Sequence, residues 1–268
     1  MNIKRTLLKA LLLLVLLASA CKKENKLHDH TNVNPGKLKE EYVKLGGDLK
    51  YVYHYNDDQT LKKQELWADG MLIASNEYRY LNNKLYFRTY SEFSGEKALK
   101  VISITKYTYT GELLTTAVEN VLERHGGESD IITNITYTEE GLIKSARQRR
   151  INEFGVSEEV ERAFTTGANG NIIKINEVRY TRGIGAPPTV YTMKYDDKRN
   201  PRYGLIDPLE FAEYFSPNNV IDFHEKHLNN EKCVQFYYEY NADWLPTSLE
   251  ANDLIQNEFR NLAKWSYY

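Results

Sequence analysis

The chain has 268 residues, 35 of them basic and 37 acidic, and two cysteines. A near-neutral balance without a basic patch excludes nucleic acid and an anionic membrane surface as electrostatic partners. Two cysteines build no disulfide framework, so the fold must rest on its own core, for which this length suffices.

The N-terminus sets a location. Lys4, Arg5 and Lys9 are followed by an apolar run, Ala10 to Ala18, and by Leu17-Ala18-Ser19-Ala20-Cys21. A charged start, a short apolar stretch and small residues before a cleavage point describe a secretory signal peptide over residues 1–20. The run is too short to span a bilayer well, which takes about 20 residues. The segment ending in Cys21 resembles the lipobox of bacterial lipoproteins, with Ala18 where Leu is commoner. That resemblance implies that Cys21 becomes the first mature residue and carries lipid, and Lys22 is compatible with outer-membrane sorting. Removing Lys4, Arg5 and Lys9 from the 35 basic residues leaves 32 against 37 acidic ones, a formal net charge of −5. Residues 21–36, polar and ending in Pro35-Gly36, read as a flexible tether. Residues 37–268 read as a single domain. Leu38, Tyr42 and Leu45 have the spacing of a short helix over 37–46.

From Tyr51 the period becomes two. Tyr51, Tyr53 and Tyr55 alternate with Val52 and His54, and 21 tyrosines with many Thr, Val and Ile favour strands. Turn signals recur every dozen residues, among them Asn56-Asp57-Asp58, Asp69-Gly70, Asn82-Asn83 and Asn169-Gly170, which predicts antiparallel hairpins. Strand-closing aromatics fall at Tyr55, Tyr80, Tyr109, Tyr137, Phe164, Tyr195 and Tyr240, in steps of 25, 29, 28, 27, 31 and 45 residues. Each step but the last fits one hairpin. The expected fold class is therefore all-β: an open, twisted antiparallel meander of repeated hairpins with one or two short helices.

The long last step holds a loop, residues 196–219. There Asp207-Pro208-Leu209-Glu210 has an N-cap Asp, Pro at the first helical position and Glu at the third. This predicts a helix near 207–215 presenting Phe211, Tyr214 and Phe215, ended by Pro217-Asn218-Asn219. Asp196 and Asp197 should cap backbone amides, Pro201 should stop a strand, and the helix should clasp one end or face of the sheet. After Leu254 the pattern is ambiguous: Ile255, Phe259 and Leu262 have helical spacing, while Lys264 to Tyr268 looks like strand.

Several turns carry a shared motif. Tyr55-Asn56-Asp57-Asp58-Gln59-Thr60-Leu61 and Tyr137-Thr138-Glu139-Glu140-Gly141-Leu142-Ile143 resemble degenerate YD repeats, Tyr-Asp-x-x-Gly-x-Leu. With Tyr195-Asp196-Asp197-Lys198-Arg199-Asn200-Pro201, Ser216 to Val220 and Tyr238 to Thr247, residues 50–250 resemble secreted lipoproteins of unknown function from Bacteroides-type bacteria. The resemblance implies an extracytoplasmic β domain and no activity. Gln59 and Trp244 stand where the repeat has Gly, so irregular turns are expected there.

Chemistry-bearing constellations are few. His224-Glu225-Lys226-His227 lies on a predicted strand, where residues three apart face opposite ways and cannot share a metal. His28-Asp29-His30 has nothing to preorganise it. Asp57-Asp58 and Asp196-Asp197 suit turns, and calcium would need more oxygen ligands. Gly183 to Pro188 reads as a hairpin tip. Cys233, in the strand-like Lys232 to Phe236, reads as a small packed residue. No nucleophile elbow, Cys-x-x-Cys or phosphate loop occurs, so neither a catalytic residue nor a metal ligand nor a cofactor is expected. The remaining candidate is a tyrosine ladder of Tyr51, Tyr53, Tyr55, Tyr80, Tyr109, Tyr137 and Tyr240. It is read either as cross-strand packing, about 0.2–1 kcal/mol per pair, or as an aromatic platform for sugar rings or peptides. The expected protein is a non-enzymatic outer-membrane lipoprotein, periplasmic or surface-exposed. It would bind or scaffold a glycan or envelope protein, or carry a lipid or glycan in an apolar pocket.

Overall fold

The structure is a computed structural model that describes residues 38–44, 48–93, 98–122, 129–205, 207–254 and 258–267. The predicted signal peptide over residues 1–20, Cys21 and the predicted tether over 21–36 lie outside the described residues.

Seventeen strands form one antiparallel sheet. They are β1 (Leu38–Lys44), β2 (Asp48–Tyr55), β3 (Leu61–Ala68), β4 (Met71–Leu81), β5 (Lys84–Phe93) and β6 (Leu99–Thr110). Next come β7 (Leu113–Val121), β8 (Ser129–Tyr137), β9 (Ile143–Asn152), β10 (Gly155–Thr166), β11 (Ile172–Thr181), the two-residue β12 (Ile184–Gly185) and β13 (Thr189–Arg199). The last four are β14 (Asn218–His227), β15 (Asn230–Tyr240), β16 (Pro246–Asp253) and β17 (Glu258–Tyr267). Each strand pairs with its sequence neighbour, except that β12 only extends the β11 hairpin while β11 pairs onward with β13. β1 pairs with both β2 and β17. The sheet therefore closes on itself as a sixteen-stranded barrel, which leaves no unpaired edge.

This corrects the open meander. The strand that closes the ring is β1, the segment whose spacing suggested a helix over 37–46. The apolar spacing Leu38–Tyr42 does not follow the buried face: with a register shift between Leu38 and Glu40, it is Leu38 and Glu41 that are buried, while Tyr42 is 45% exposed. A charged residue inside and an aromatic one outside hide the alternation of the strand. The C-terminal ambiguity resolves as strand in β17.

The repeat corresponds to one end of the barrel. At four turns the hydrogen bonds are the same. Asn56 N donates to the Thr60 carbonyl and Gln59 N to the Asn56 carbonyl; the pairs at Thr138/Leu142, Gly167/Asn171 and Asn241/Leu245 repeat this within 2.8–3.1 Å. The fourth residue of each turn has positive φ: Gln59 at 75°, Gly141 at 80°, Gly170 at 81° and Trp244 at 60°. Gln59 and Trp244 thus adopt the same turn as the glycines, contrary to the irregularity expected of them. They do so at the steric cost of a left-handed side chain, about 1–2 kcal/mol each.

Tyrosine hydroxyls brace this end of the barrel. Tyr55 Oη donates to the Leu38 carbonyl at 3.0 Å, Tyr137 to Leu114 at 2.8 Å, Tyr195 to Ile172 at 2.6 Å and Tyr267 to Pro246 at 2.7 Å. In every case the acceptor is the first or second residue of the neighbouring strand that the tyrosine's own strand pairs with. A Phe would pack there but could not make the bond. Burial holds several tyrosines at this end neutral. It pushes Tyr195 up to about 12 and raises Tyr80, Tyr109, Tyr137 and Tyr267 further. In the unfolded chain these groups ionise near 10, so above that pH the unfolded state holds fewer protons and stability falls as pH rises. Each such tyrosine contributes about 1.4 kcal/mol of loss per pH unit until its folded value is reached. Cooperative unfolding between about pH 10 and 12 is expected in a circular-dichroism titration; gradual phenolate absorbance with retained strand signal would contradict it.

Candidate functional site

Cross-strand partners share a face, so the register separates inside from outside. Tyr53, Gln64, Asn76 and Tyr90 form one inward row, and Tyr78, Arg88, Thr105 and Glu119 another. Lys63, Glu77, Lys106, Arg147, Glu159 and Lys194 have the opposite parity. The outer wall is laced with ion pairs, including Lys50–Glu40 at 3.3 Å, Arg147–Glu159 at 2.8 Å and Lys194–Asp222 at 3.0 Å.

The lumen is filled at the turn-rich end by residues 200–217. This segment touches strands all round the ring, which places it inside. Arg202 pairs with Glu41 on β1, and Asp207 with Arg88 on β5. Tyr107 on β6 donates to Asp207 at 3.0 Å. Phe215 packs edge-on against Tyr137 on β8, and Phe211 lies 5.2 Å from Phe164 on β10. Ile172 N on β11 donates to Ser216 Oγ at 3.1 Å. Leu205, Phe211 and Phe215 join the inward Leu61, Leu85, Leu114, Ile143 and Ile172 in one buried core.

The predicted helix is shorter than expected. α1 spans Phe211–Phe215, with Glu210 rather than Asp207 at its N-terminal boundary and no side-chain cap. Asp207 instead accepts from Leu209 N at 2.9 Å and meets Arg88. A buried guanidinium outcompetes a helix cap for the carboxylate. Asp196 Oδ1 accepts from Lys198 N at 3.0 Å and Asn219 N at 3.1 Å, and Tyr240 donates to Oδ2. β13 ends at Arg199, before Pro201. Asp197 is exposed and pairs with Lys198 at 3.0 Å. The segment fills the lumen instead of covering a sheet edge or face.

Beneath this plug lies a cavity of about 390 Å³, lined by Glu41, Tyr51, Tyr53, Gln64, Asn76, Tyr78, Arg88, Tyr90, Arg202 and Asp207, among others. Its charges are paired across the lumen. Arg88, 15 % exposed, meets Asp207 and Glu119 and donates to Thr105 Oγ1 at 3.0 Å. Glu41 accepts from Tyr53 Oη at 2.8 Å as well as from Arg202. Two buried atoms on this wall, Asn76 Oδ1 and Arg88 Nε, have no protein partner among the described residues. Buried polar groups are normally satisfied, so such atoms mark a place for water or a ligand.

The tyrosine ladder faces this interior. Tyr53 is buried; Tyr51, Tyr55, Tyr80, Tyr109 and Tyr137 pack on the core; Tyr240 is half-buried against Asp196. Only Tyr51 and Tyr53 of the seven line the cavity. Glu41, Asn76, Arg88 and Arg202 were not singled out from the sequence, and Asp207 was read only as a helix cap. For Glu41, Asn76 and Arg88 the signal was polarity at inward strand parity, which appears only once register is known.

Cys233 is not packed inside. It is outward, directly opposite His224. His224 and His227 do have opposite parity, and His227 Nδ1 lies 3.0 Å from Thr189 Oγ1.

No protein-family model matches the chain, and no curated protein matches it. Among solved structures, it is similar to a porin-like protein from Bacteroides vulgatus, with a TM-score of 0.61, 11% identity, and coverage of 87% of this chain and 99% of that one. A porin-like protein from Bacteroides uniformis gives a TM-score of 0.53 and 10% identity over 88% and 98% of the two chains. At these identities the likeness is one of fold, and it runs the length of both barrels.

Proposed function

We propose that this protein is a non-enzymatic binding module of the bacterial envelope, held by lipid on Cys21, whose barrel stands in water and takes a ligand beneath its plug. The outer wall carries this reading. A barrel in lipid needs an apolar outer band, and each Lys or Arg near the bilayer midplane costs about 2–4 kcal/mol. With Lys106, Arg147 and Lys194 outward near the middles of β6, β9 and β13, the summed cost of about 6–12 kcal/mol would be comparable to the entire stability of a typical domain. The lumen, blocked by Phe211 and Phe215, holds a ligand rather than conducting. The envelope location draws on the lipobox and on the porin-like neighbours.

A glycan suits the cavity. Tyr51, Tyr53, Tyr78 and Tyr90 offer aromatic faces, and Asn76, Gln64, Arg88 and Glu41 offer hydroxyl-binding groups. The volume lies within the usual range of ligand sites, about 300–1,000 Å³. Sugars screened by thermal shift should include at least one that stabilises the protein, and Asn76→Ala should weaken it by about tenfold, near 1.4 kcal/mol for one hydrogen bond. Binding unchanged in Asn76→Ala would move the site elsewhere. Ion-conducting channels in a planar bilayer would overturn the water-standing barrel. Separately, Cys21→Ala should shift the protein to a soluble fraction or leave it unprocessed at the inner membrane. A mutant still processed and attached to the outer membrane would remove the lipid from the account.

A further inference from the structure

We infer that His224, Glu231 and Cys233 form a zinc-type metal site on the outer wall of the barrel. β14 and β15 form a hairpin, and His224 and Cys233 are directly opposed across it. His224 Nδ1 lies 3.3 Å from Cys233 Sγ and 3.8 Å from Glu231 Oε1. One ligand atom from each of the three residues falls within 4.8 Å of the others. Ligands at about 2.0 Å for nitrogen and 2.3 Å for sulfur round a tetrahedral ion stand about 3.5 Å apart, so the metal needs little rearrangement. Imidazole, thiolate and carboxylate together are the donor set of zinc.

Two further features prepare the histidine and the charge. Asp222 Oδ1 sits 3.5 Å from His224 Nε2. A carboxylate on one ring nitrogen holds the proton there and leaves the other free to coordinate. Here that leaves the Nδ1 lone pair aimed at Cys233. Asp222 and Glu231 supply negative charge; Asp222 is shared with Lys194 at 3.0 Å. His224 and Glu231 are partly exposed, so an ion can enter and solvent can complete the fourth position. On binding, the cysteine S–H gives its proton to solvent and the thiolate donates its electron pair to the cation. No electron transfer is involved. The site is independent of the lumen cavity, because its residues have outward parity.

The test uses the full chain carrying His28→Gln and His30→Gln, which removes the histidines near the N-terminus. Zinc binding is measured by competition with a chromogenic chelator, and cobalt substitution is read by absorbance. One ion per chain is expected, with a sulfur-to-cobalt charge-transfer band. Cys233→Ser and His224→Gln should each abolish both signals, and His227→Gln should change neither. Asp222→Asn, a positioning change, should weaken binding by about 10–100-fold. No stoichiometric binding in the parent would overturn the site. So would binding that survives Cys233→Ser, or a bound ion without a charge-transfer band. Unchanged far-ultraviolet spectra in the variants separate loss of ligands from loss of fold.

Discussion

Phe211→Ala should lower the unfolding free energy by about 3–5 kcal/mol, the cost of removing a buried aromatic from a site that cannot collapse. Phe211 is 7% exposed and sits between Phe164 and Phe215, with the Arg162 guanidinium 5.6 Å from its ring centroid. The hydrogen-bonded ring of strands around it limits inward relaxation, which argues for the upper half of that range. Chemical denaturation monitored by tryptophan fluorescence measures the loss. A variant that melts like the parent yet loses a ligand would turn the plug from a structural element into a binding one.

Asp207→Ala should be nearly as costly, through a different term. It leaves the Arg88 guanidinium in the lumen without its principal partner, and breaking a buried pair on one side costs about 3–5 kcal/mol. Glu119, 3.2 Å from Arg88, remains to offset part of the charge, so a value near 3 kcal/mol is expected. The double change Asp207→Leu with Arg88→Met should recover much of the loss, because apolar replacement of a whole buried pair is often neutral. A double variant no more stable than Asp207→Ala alone would mean that shape, not charge, fixes the plug. The Tyr107 hydroxyl also donates to Asp207, so adding Tyr107→Phe to the double variant distinguishes an unpaired hydroxyl from the charge.

The hairpin repeat was legible from the sequence because each strand shows its own period and each turn its own residues. Tyr55, Tyr80, Tyr109, Tyr137 and Tyr240 fall at a strand's last or next-to-last residue, and Asn56 to Thr60 marked a turn, whereas β13 runs on past Tyr195 to Arg199. Those are local signals, set by alternation and by the few residues that tolerate turn geometry. The long step between Tyr195 and Tyr240 correctly located the inserted segment.

What only the tertiary structure decided was closure and its contents. A meander of hairpins is the same sequence pattern whether its ends meet or not; the difference is one pairing, β1 with β17, between segments over 200 residues apart. That pairing was hidden because β1 buries a charged residue, Glu41, and exposes an aromatic one, Tyr42, so its apolar spacing does not show the strand. Closure then determined the rest. It turned a tyrosine ladder into a lumen lining, drew residues 200–217 inside, and took Asp207 from a helix cap to a partner of Arg88, which stands 119 positions away in the chain. Likewise His224 and Cys233 are unremarkable nine residues apart in the sequence, and become ligand-like only when the register of β14 and β15 sets them face to face. Long-range pairing leaves no local periodicity to read, because its energy comes from contacts that exist only once the ring is complete.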